Sequence, residues 1–83
     1  MEPQQDNFEE VPESFLCPIT QEPMKDPVID PDGNSYERTA IEAWIRQKGT
    51  SPISRQPLAL ADLRPNRALR ESIQELEETR RRR

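Results

Sequence analysis

Nine prolines in 83 residues leave few stretches where regular structure can run. Each proline removes a backbone donor and fixes φ, so it is confined to turns, sheet edges and the first turn of a helix. The segment Cys17-Pro18-Ile19-Thr20-Gln21-Glu22-Pro23-Met24 contains two of them, which forbids a helix interior and a central strand alike and predicts an ordered loop. Thr50 to Leu60 carries Pro52 and Pro57 and predicts a second ordered loop. Between the loops, Pro27-Val28-Ile29-Asp30, then Pro31-Asp32-Gly33-Asn34, then Ser35-Tyr36 predicts a short hairpin. Pro31 presets φ in its turn, and Gly33 supplies the left-handed conformation of a bulged type I connection.

Two proline-free stretches remain for helices. From Arg38 to Lys48, Ile41, Trp44 and Ile45 recur on one helical face, and Gly49 is placed to cap the C-terminus. Thr39 and Glu42 match a capping box, with Glu37 as an alternative cap one turn earlier. Pro65-Asn66 opens the second helix with Asn66 as N-cap and Leu69, Ile73 and Leu76 on one face. That face could form a seam with another copy, but such a seam more often packs on its own domain. No internal repeat is evident.

Hydrophobic residues make up 31% of the chain and charged residues 34%, close to the limit at which a chain collapses. The apolar residues concentrate between Phe15 and Leu76. We therefore expect a disordered acidic segment over 1–10, one small α+β domain over 11–76, and a charged helix end or tail over 77–83. No apolar run approaches the roughly 20 residues that span a bilayer, and no basic-then-apolar leader is present, so a soluble chain without a membrane partner is expected. Cys17 stands alone, so no internal disulfide can form, and a reducing compartment, cytoplasm or nucleus, fits best. The net charge is −4, and the arginine run at Arg80–Arg83 is short, terminal and free of aromatics. It reads as a solvated helix end and not as a nucleic-acid site.

The order loop, hairpin, helix, loop, helix is that of a RING-like cross-brace, in which zinc ions pin the two loops. Two structural zinc sites need about eight Cys or His ligands, whereas this chain has one Cys and no His. No metal or other cofactor is expected, and polar side chains must satisfy the loop backbones instead.

A family resemblance rests on Leu16-Cys17-Pro18-Ile19-Thr20 with Met24 and Asp26-Pro27-Val28, then Gly33-Asn34-Ser35-Tyr36-Glu37-Arg38 and Ile41-Glu42-Ala43-Trp44. It continues through Pro52-Ile53-Ser54, Pro57-Leu58, and Pro65-Asn66 with Ala68-Leu69. In this order, over about Val11 to Ile73, these residues resemble the U-box. The resemblance implies a RING-shaped, zinc-free fold held by hydrogen bonds and ion pairs, for which Glu22, Asp26, Ser35, Arg38, Ser54 and Asn66 are the candidates. It also implies a ubiquitin-protein ligase module that binds a ubiquitin-conjugating enzyme carrying ubiquitin and promotes transfer to a lysine of a substrate protein. Homodimers are a further implication of the family.

The chain's own chemistry agrees with a non-covalent role. It has no histidine and no Ser-His pair, and Cys17, its one strong nucleophile, lies in an apolar stretch that predicts a buried, inert thiol. Such a ligase acts on a thioester that its partner carries. The resemblance implies a shallow docking groove formed by Ile19, Trp44 and Pro52, with Gln21 on its rim. Ile19, flanked by Pro18 and Thr20, is expected to face outward; Trp44, although it shares a face with Ile41, is expected to be partly exposed. Arg55 falls where many such ligases carry an arginine that contacts enzyme and ubiquitin together, a task suited to a planar fork of donors. The alternative is a docking or self-association module of the same shape without transfer activity.

Overall fold

A computed structural model describes residues 11–81; the expected disordered segment at 1–10 and the last two arginines lie outside the described residues. The chain enters through a single 3₁₀ turn at Glu13–Phe15 and then forms the first proline loop. Strands β1 (Pro27–Ile29) and β2 (Ser35–Glu37) pair antiparallel with Val28 opposite Tyr36. The turn between them is the expected one: Gly33 sits at φ +91° and donates its N–H to the Asp30 carbonyl at 3.0 Å.

Helix α1 (Arg38–Lys48) follows β2 without a linker and ends at Gly49, whose N–H still reaches the Ile45 carbonyl at 2.8 Å while its left-handed φ of 69° turns the chain out of the helix. The expected Thr39–Glu42 capping box does not form, because the helix already begins at Arg38. Glu37 occupies the cap position, but its side chain makes no cap hydrogen bond. Glu42 instead lies 3.8 Å from Arg46 one turn along.

After the second loop and a 3₁₀ turn at Leu60–Asp62 comes a two-residue strand, β3 (Arg64–Pro65), which pairs antiparallel with β1 and completes a sheet of order β2-β1-β3. Sequence periodicity could not reveal it, since two residues carry no alternation, and its proline is tolerated because β3 is an edge. Helix α2 (Arg67–Arg81) then starts with Asn66 accepting the Leu69 N–H at 3.2 Å, the expected N-cap.

Between sheet and helices lies the core of Cys17, Met24, Val28, Tyr36, Ile41, Ile45, Leu58 and Ile73. The apolar face of α2 packs on its own domain: Ile73 is buried in the core and Leu69 leans on it. Leu76 lines a shallow groove beside Pro12 and Phe15. A RING-like α+β fold thus forms with both proline loops closed at their necks, and among the described residues no three His, Cys, Asp or Glu side chains gather as a metal site.

Candidate functional site

The two loops are copies of one another, contrary to the expectation of no internal repeat. Shifting the chain by 34 positions lays Cys17-Pro18-Ile19-Thr20-Gln21-Glu22-Pro23-Met24 on Ser51-Pro52-Ile53-Ser54-Arg55-Gln56-Pro57-Leu58. The hydrogen bonds repeat as well. Isolated bridges Leu16–Pro23 and Thr50–Pro57 close the necks. Cys17 N–H donates to the Glu22 carbonyl at 2.9 Å, and Ser51 N–H to the Gln56 carbonyl at 2.8 Å. Gln21 N–H returns to the Cys17 carbonyl at 2.8 Å, and Arg55 N–H to the Ser51 carbonyl at 2.9 Å. After each return the chain turns back through a left-handed residue, Gln21 at φ 64° and Arg55 at φ 67°, toward the neck. The repeat was legible in the sequence as two matching proline-isoleucine segments, but eight residues with Cys opposite Ser and Gln opposite Arg score poorly until the bonds are seen.

The loops hang from two consecutive residues at the end of β2. Tyr36 and Glu37 point to opposite sides, as strand neighbours do, and each holds one loop. On one side the Tyr36 hydroxyl donates to Asp30 Oδ2 at 2.8 Å and lies 3.4 Å from Ser51 Oγ, the head of the second loop. Asp30 Oδ1 accepts the N–H groups of Asp32 and Asn34, both at 2.9 Å, which ties down the hairpin turn. Ser51 Oγ accepts the N–H groups of Ile53 and Ser54 at 3.1 and 3.0 Å. On the other side the Glu37 carboxylate accepts the N–H groups of Lys25 and Asp26 at 2.7 and 3.0 Å. Cys17 Sγ accepts those of Ile19 and Glu37 at 3.4 and 3.3 Å. Burial of the fully enclosed Tyr36 phenol is the main cause that pushes its pKa up to about 12; the Asp30 hydrogen bond adds to the rise and that of Ser51 opposes it.

The expected polar residues are therefore only part of the network. Asp26 and Arg38 form an ion pair with a 2.6 Å bond, which raises the Arg38 pKa. Asn66 Nδ2 donates to Ser35 Oγ at 3.0 Å and joins α2 to the hairpin. Ser54 Oγ accepts only the Gln56 N–H of its own loop, at 3.2 Å. The exposed Glu22 engages through its backbone, and its carboxylate makes no hydrogen bond among the described residues. Asp30, Tyr36, Glu37 and Ser51, not singled out from the sequence for this network, supply its remaining side-chain contacts. Asp26, Arg38 and Asn66 also come together, with Arg67 and Arg70, around a cleft of about 190 Å³.

The candidate docking residues lie on the loops and α1. Ile19 and Trp44 are half-buried and both pack against the core, while Pro52 is half-buried in the second loop. Gln21 and Arg55 are exposed at equivalent loop positions but differ in what their side chains do. Gln21 Nε2 is tied back to the Pro18 carbonyl at 3.1 Å. Arg55 makes no side-chain hydrogen bond or ion pair among the described residues, and the neighbouring Ile53 is 51% exposed. The Trp44 indole has Lys48 Nζ 5.7 Å from its ring centroid, and its buried Nε1 finds no acceptor. A buried donor left unpaired costs about 1–3 kcal/mol.

The profile of the U-box domain matches residues 11–82. The chain belongs to the U-box family. This U-box is 60% identical over 63 residues to WD repeat, SAM and U-box domain-containing protein 1 of Danio rerio, covering 75% of this chain and 13% of that protein. It is 51% identical over 70 residues to the protein of the same name in Homo sapiens, covering 83% and 15%. It is also 48% identical over 67 residues to E3 ubiquitin-protein ligase PUB23 of Arabidopsis thaliana, covering 78% and 16%. The chain thus spans about one seventh of the length of these relatives. Its backbone is similar to the RING finger-like domain of Retinoblastoma Binding Protein-6, with a TM-score of 0.75 and 28% identity over 82% of this chain and 78% of that one. In this U-box, hydrogen bonds of Tyr36 and Glu37 attach the two loops to the end of β2.

Proposed function

We propose that this U-box is a ubiquitin-protein ligase module: it docks a ubiquitin-charged conjugating enzyme and promotes transfer of ubiquitin to a substrate lysine. The lysine amine attacks the thioester carbonyl, an isopeptide bond forms, and the enzyme's cysteine leaves as the thiol. The domain contributes no covalent intermediate, since Cys17 is 1% exposed and its sulfur faces two backbone donors. Ile19, Trp44 and Pro52 receive the enzyme, with Gln21 at the rim, and Arg55 holds ubiquitin against it. Relatives that bear the name E3 ubiquitin-protein ligase support the reading. The observation that carries it is the contrast between two equivalent loop positions: Gln21 is tied to its own loop, while the Arg55 guanidinium is left with all its donors for a partner.

An arginine that stabilises the attack-ready arrangement contributes more to the transfer step than to first encounter. Arg55→Ala is expected to lower discharge of the ubiquitin thioester to free lysine by tenfold or more at saturating domain, on the order of 1.4 kcal/mol, with affinity for the uncharged enzyme changed little. Ile19→Ala is expected to do the reverse, weakening affinity by on the order of 1–3 kcal/mol. Discharge by Arg55→Ala at the parent rate sinks the assigned role. Enzyme binding without any stimulated discharge by the parent domain replaces the reading with a docking module.

A further inference from the structure

The arginines of this domain divide by what their side chains hold. Arg38 is bound to Asp26, Arg46 lies 3.8 Å from Glu42, and Arg64 Nη1 turns back onto the Ala61 and Leu63 carbonyls at 2.8 and 2.9 Å. Arg55, Arg67 and Arg70 make no side-chain hydrogen bond or ion pair among the described residues. Arg55 has a role above. Arg67 and Arg70 have none, and both line the cleft of about 190 Å³ beside the Asp26–Arg38 pair. Their place in the chain is unfavourable. They open α2, whose first turn contains no acidic residue, whereas the positive end of a helix dipole favours carboxylates and disfavours cations. Three positions apart, they also share a helix face and repel one another. Local rules of this kind are broken chiefly at functional sites.

We infer that this cleft is a phosphate-binding site that takes a phosphorylated serine or threonine of another protein chain, independently of the docking function above. The donors fit a phosphoryl group. Arg67 and Arg70 offer two unengaged guanidinium forks from α2, and Arg38 adds from α1 the N–H groups that Asp26 leaves free. Asp26 itself lines the cleft, but its two oxygens are turned to Arg38 at 2.6 and 3.5 Å, so three arginines stand against one carboxylate that is already paired. A bound dianion offsets both the repulsion between Arg67 and Arg70 and the unfavourable end of the dipole, more fully than a single carboxylate does. The chain carries a net charge of −4, so its overall field repels anions, and an anion held here is held by this local arrangement. Pro27 and Pro65 complete the lining without a donor. They form an apolar wall that the neighbouring side chains of a peptide can cover and a free phosphate ion cannot use. A lipid headgroup fits less well, because the exposed large apolar residues Ile53 and Leu60 do not line the cleft to enter a bilayer.

The test titrates the ¹⁵N-labelled domain with a peptide pool in which a phosphoserine or phosphothreonine is fixed and its flanks are degenerate, and with the same pool carrying the unphosphorylated residue or glutamate instead. The phosphorylated pool is expected to move the amides of Arg38, Arg67 and Ala68 and to saturate, about tenfold more tightly than the glutamate pool. The unphosphorylated pool is expected to move none of them. Inorganic phosphate is expected to shift the same amides about tenfold more weakly than the phosphorylated pool, since it leaves the proline wall uncovered. Arg67→Gln combined with Arg70→Gln is expected to abolish the response, and Arg46→Gln to leave it intact. Arg67→Glu is expected to abolish it while raising Tm, because a carboxylate in the first turn suits the dipole; this variant separates lost binding from lost folding. The inference is overturned if the phosphorylated pool moves no amide of the cleft, if the double Gln variant binds it as well as the parent, or if Arg67→Glu lowers Tm. Inorganic phosphate bound as tightly as the pool overturns the assignment to a protein segment. Sedimentation with phosphatidic acid vesicles, without a response to the pool, replaces that segment with a membrane.

Discussion

Tyr36 concentrates the domain's sensitivity to alkali. Its phenol titrates at about 12 in the folded state against an ordinary value of 10.0, because ionisation would place a charge in the core beside Asp30. A folded-state pKa raised above the unfolded one gives stability that is complete below about pH 10 and is lost as pH climbs from 10 to 12. At about 1.4 kcal/mol per unit, the loss amounts to roughly 2–3 kcal/mol. Tyr36 is the sole tyrosine, so phenolate absorbance should rise with a midpoint well above pH 10 and together with loss of far-UV circular dichroism. A midpoint near 10 with the fold intact would contradict the network. Arg55 carries a different tension: a side chain held at φ 67° costs about 1–2 kcal/mol relative to glycine, partly offset by glycine's greater entropy when unfolded. Arg55→Gly should therefore raise the unfolding free energy measured in urea by up to about 1 kcal/mol, while reducing thioester discharge as far as Arg55→Ala. A less stable glycine variant would show that the left-handed turn is not strained.

At the scale of the loop, a single hydroxyl organises an element. Ser51 Oγ serves two backbone N–H groups and meets the Tyr36 hydroxyl, so Ser51→Ala leaves donors without an acceptor in a site that is 3% exposed. We expect a loss of about 1–3 kcal/mol, with hydrogen exchange accelerated at Ile53 and Ser54. The amides of Ile19 and Lys25, held by Cys17 and Glu37 on the other side of the strand, should keep their parent protection. Equal acceleration in both loops would mean that they open as one unit and not as two separately attached copies. The helices obey simpler rules. Gly49 and Asn66 act as the caps that their residue types predict, whereas the Thr39–Glu42 pattern fails because Glu37 is drawn to the first loop and the helix begins immediately after it.

Across the whole molecule, stability rests on a small core and on these polar attachments. Each loop is joined to the hairpin by hydrogen bonds, and α2 is joined to it by Asn66 and by Ile73. A zinc-built cross-brace loses its folding energy when metal is removed. A strong chelator should leave the thermal unfolding curve of this U-box unchanged, and elemental analysis should find substoichiometric zinc. Coincident loss of stoichiometric zinc and structure would overturn that account.

Local rules made much of this protein legible in one dimension. Proline spacing set the loops, Pro31 and Gly33 the turn, Ile41 and Ile45 the face of α1, and the shortage of Cys and His ruled out a pair of zinc sites. These follow from constraints that act within a few residues or from simple ligand arithmetic. What required the tertiary structure was the pairing of Tyr36 with Ser51 and of Glu37 with Lys25 and Asp26, contacts made across 11 to 15 positions. A carboxylate or hydroxyl has the same composition whether it faces water or a loop amide. Only folding brings a specific donor within hydrogen-bond distance, and so only folding decided that Asp30, Glu37 and Ser51 hold the structure while the Glu22 carboxylate and the Arg55 guanidinium make no side-chain hydrogen bond among the described residues.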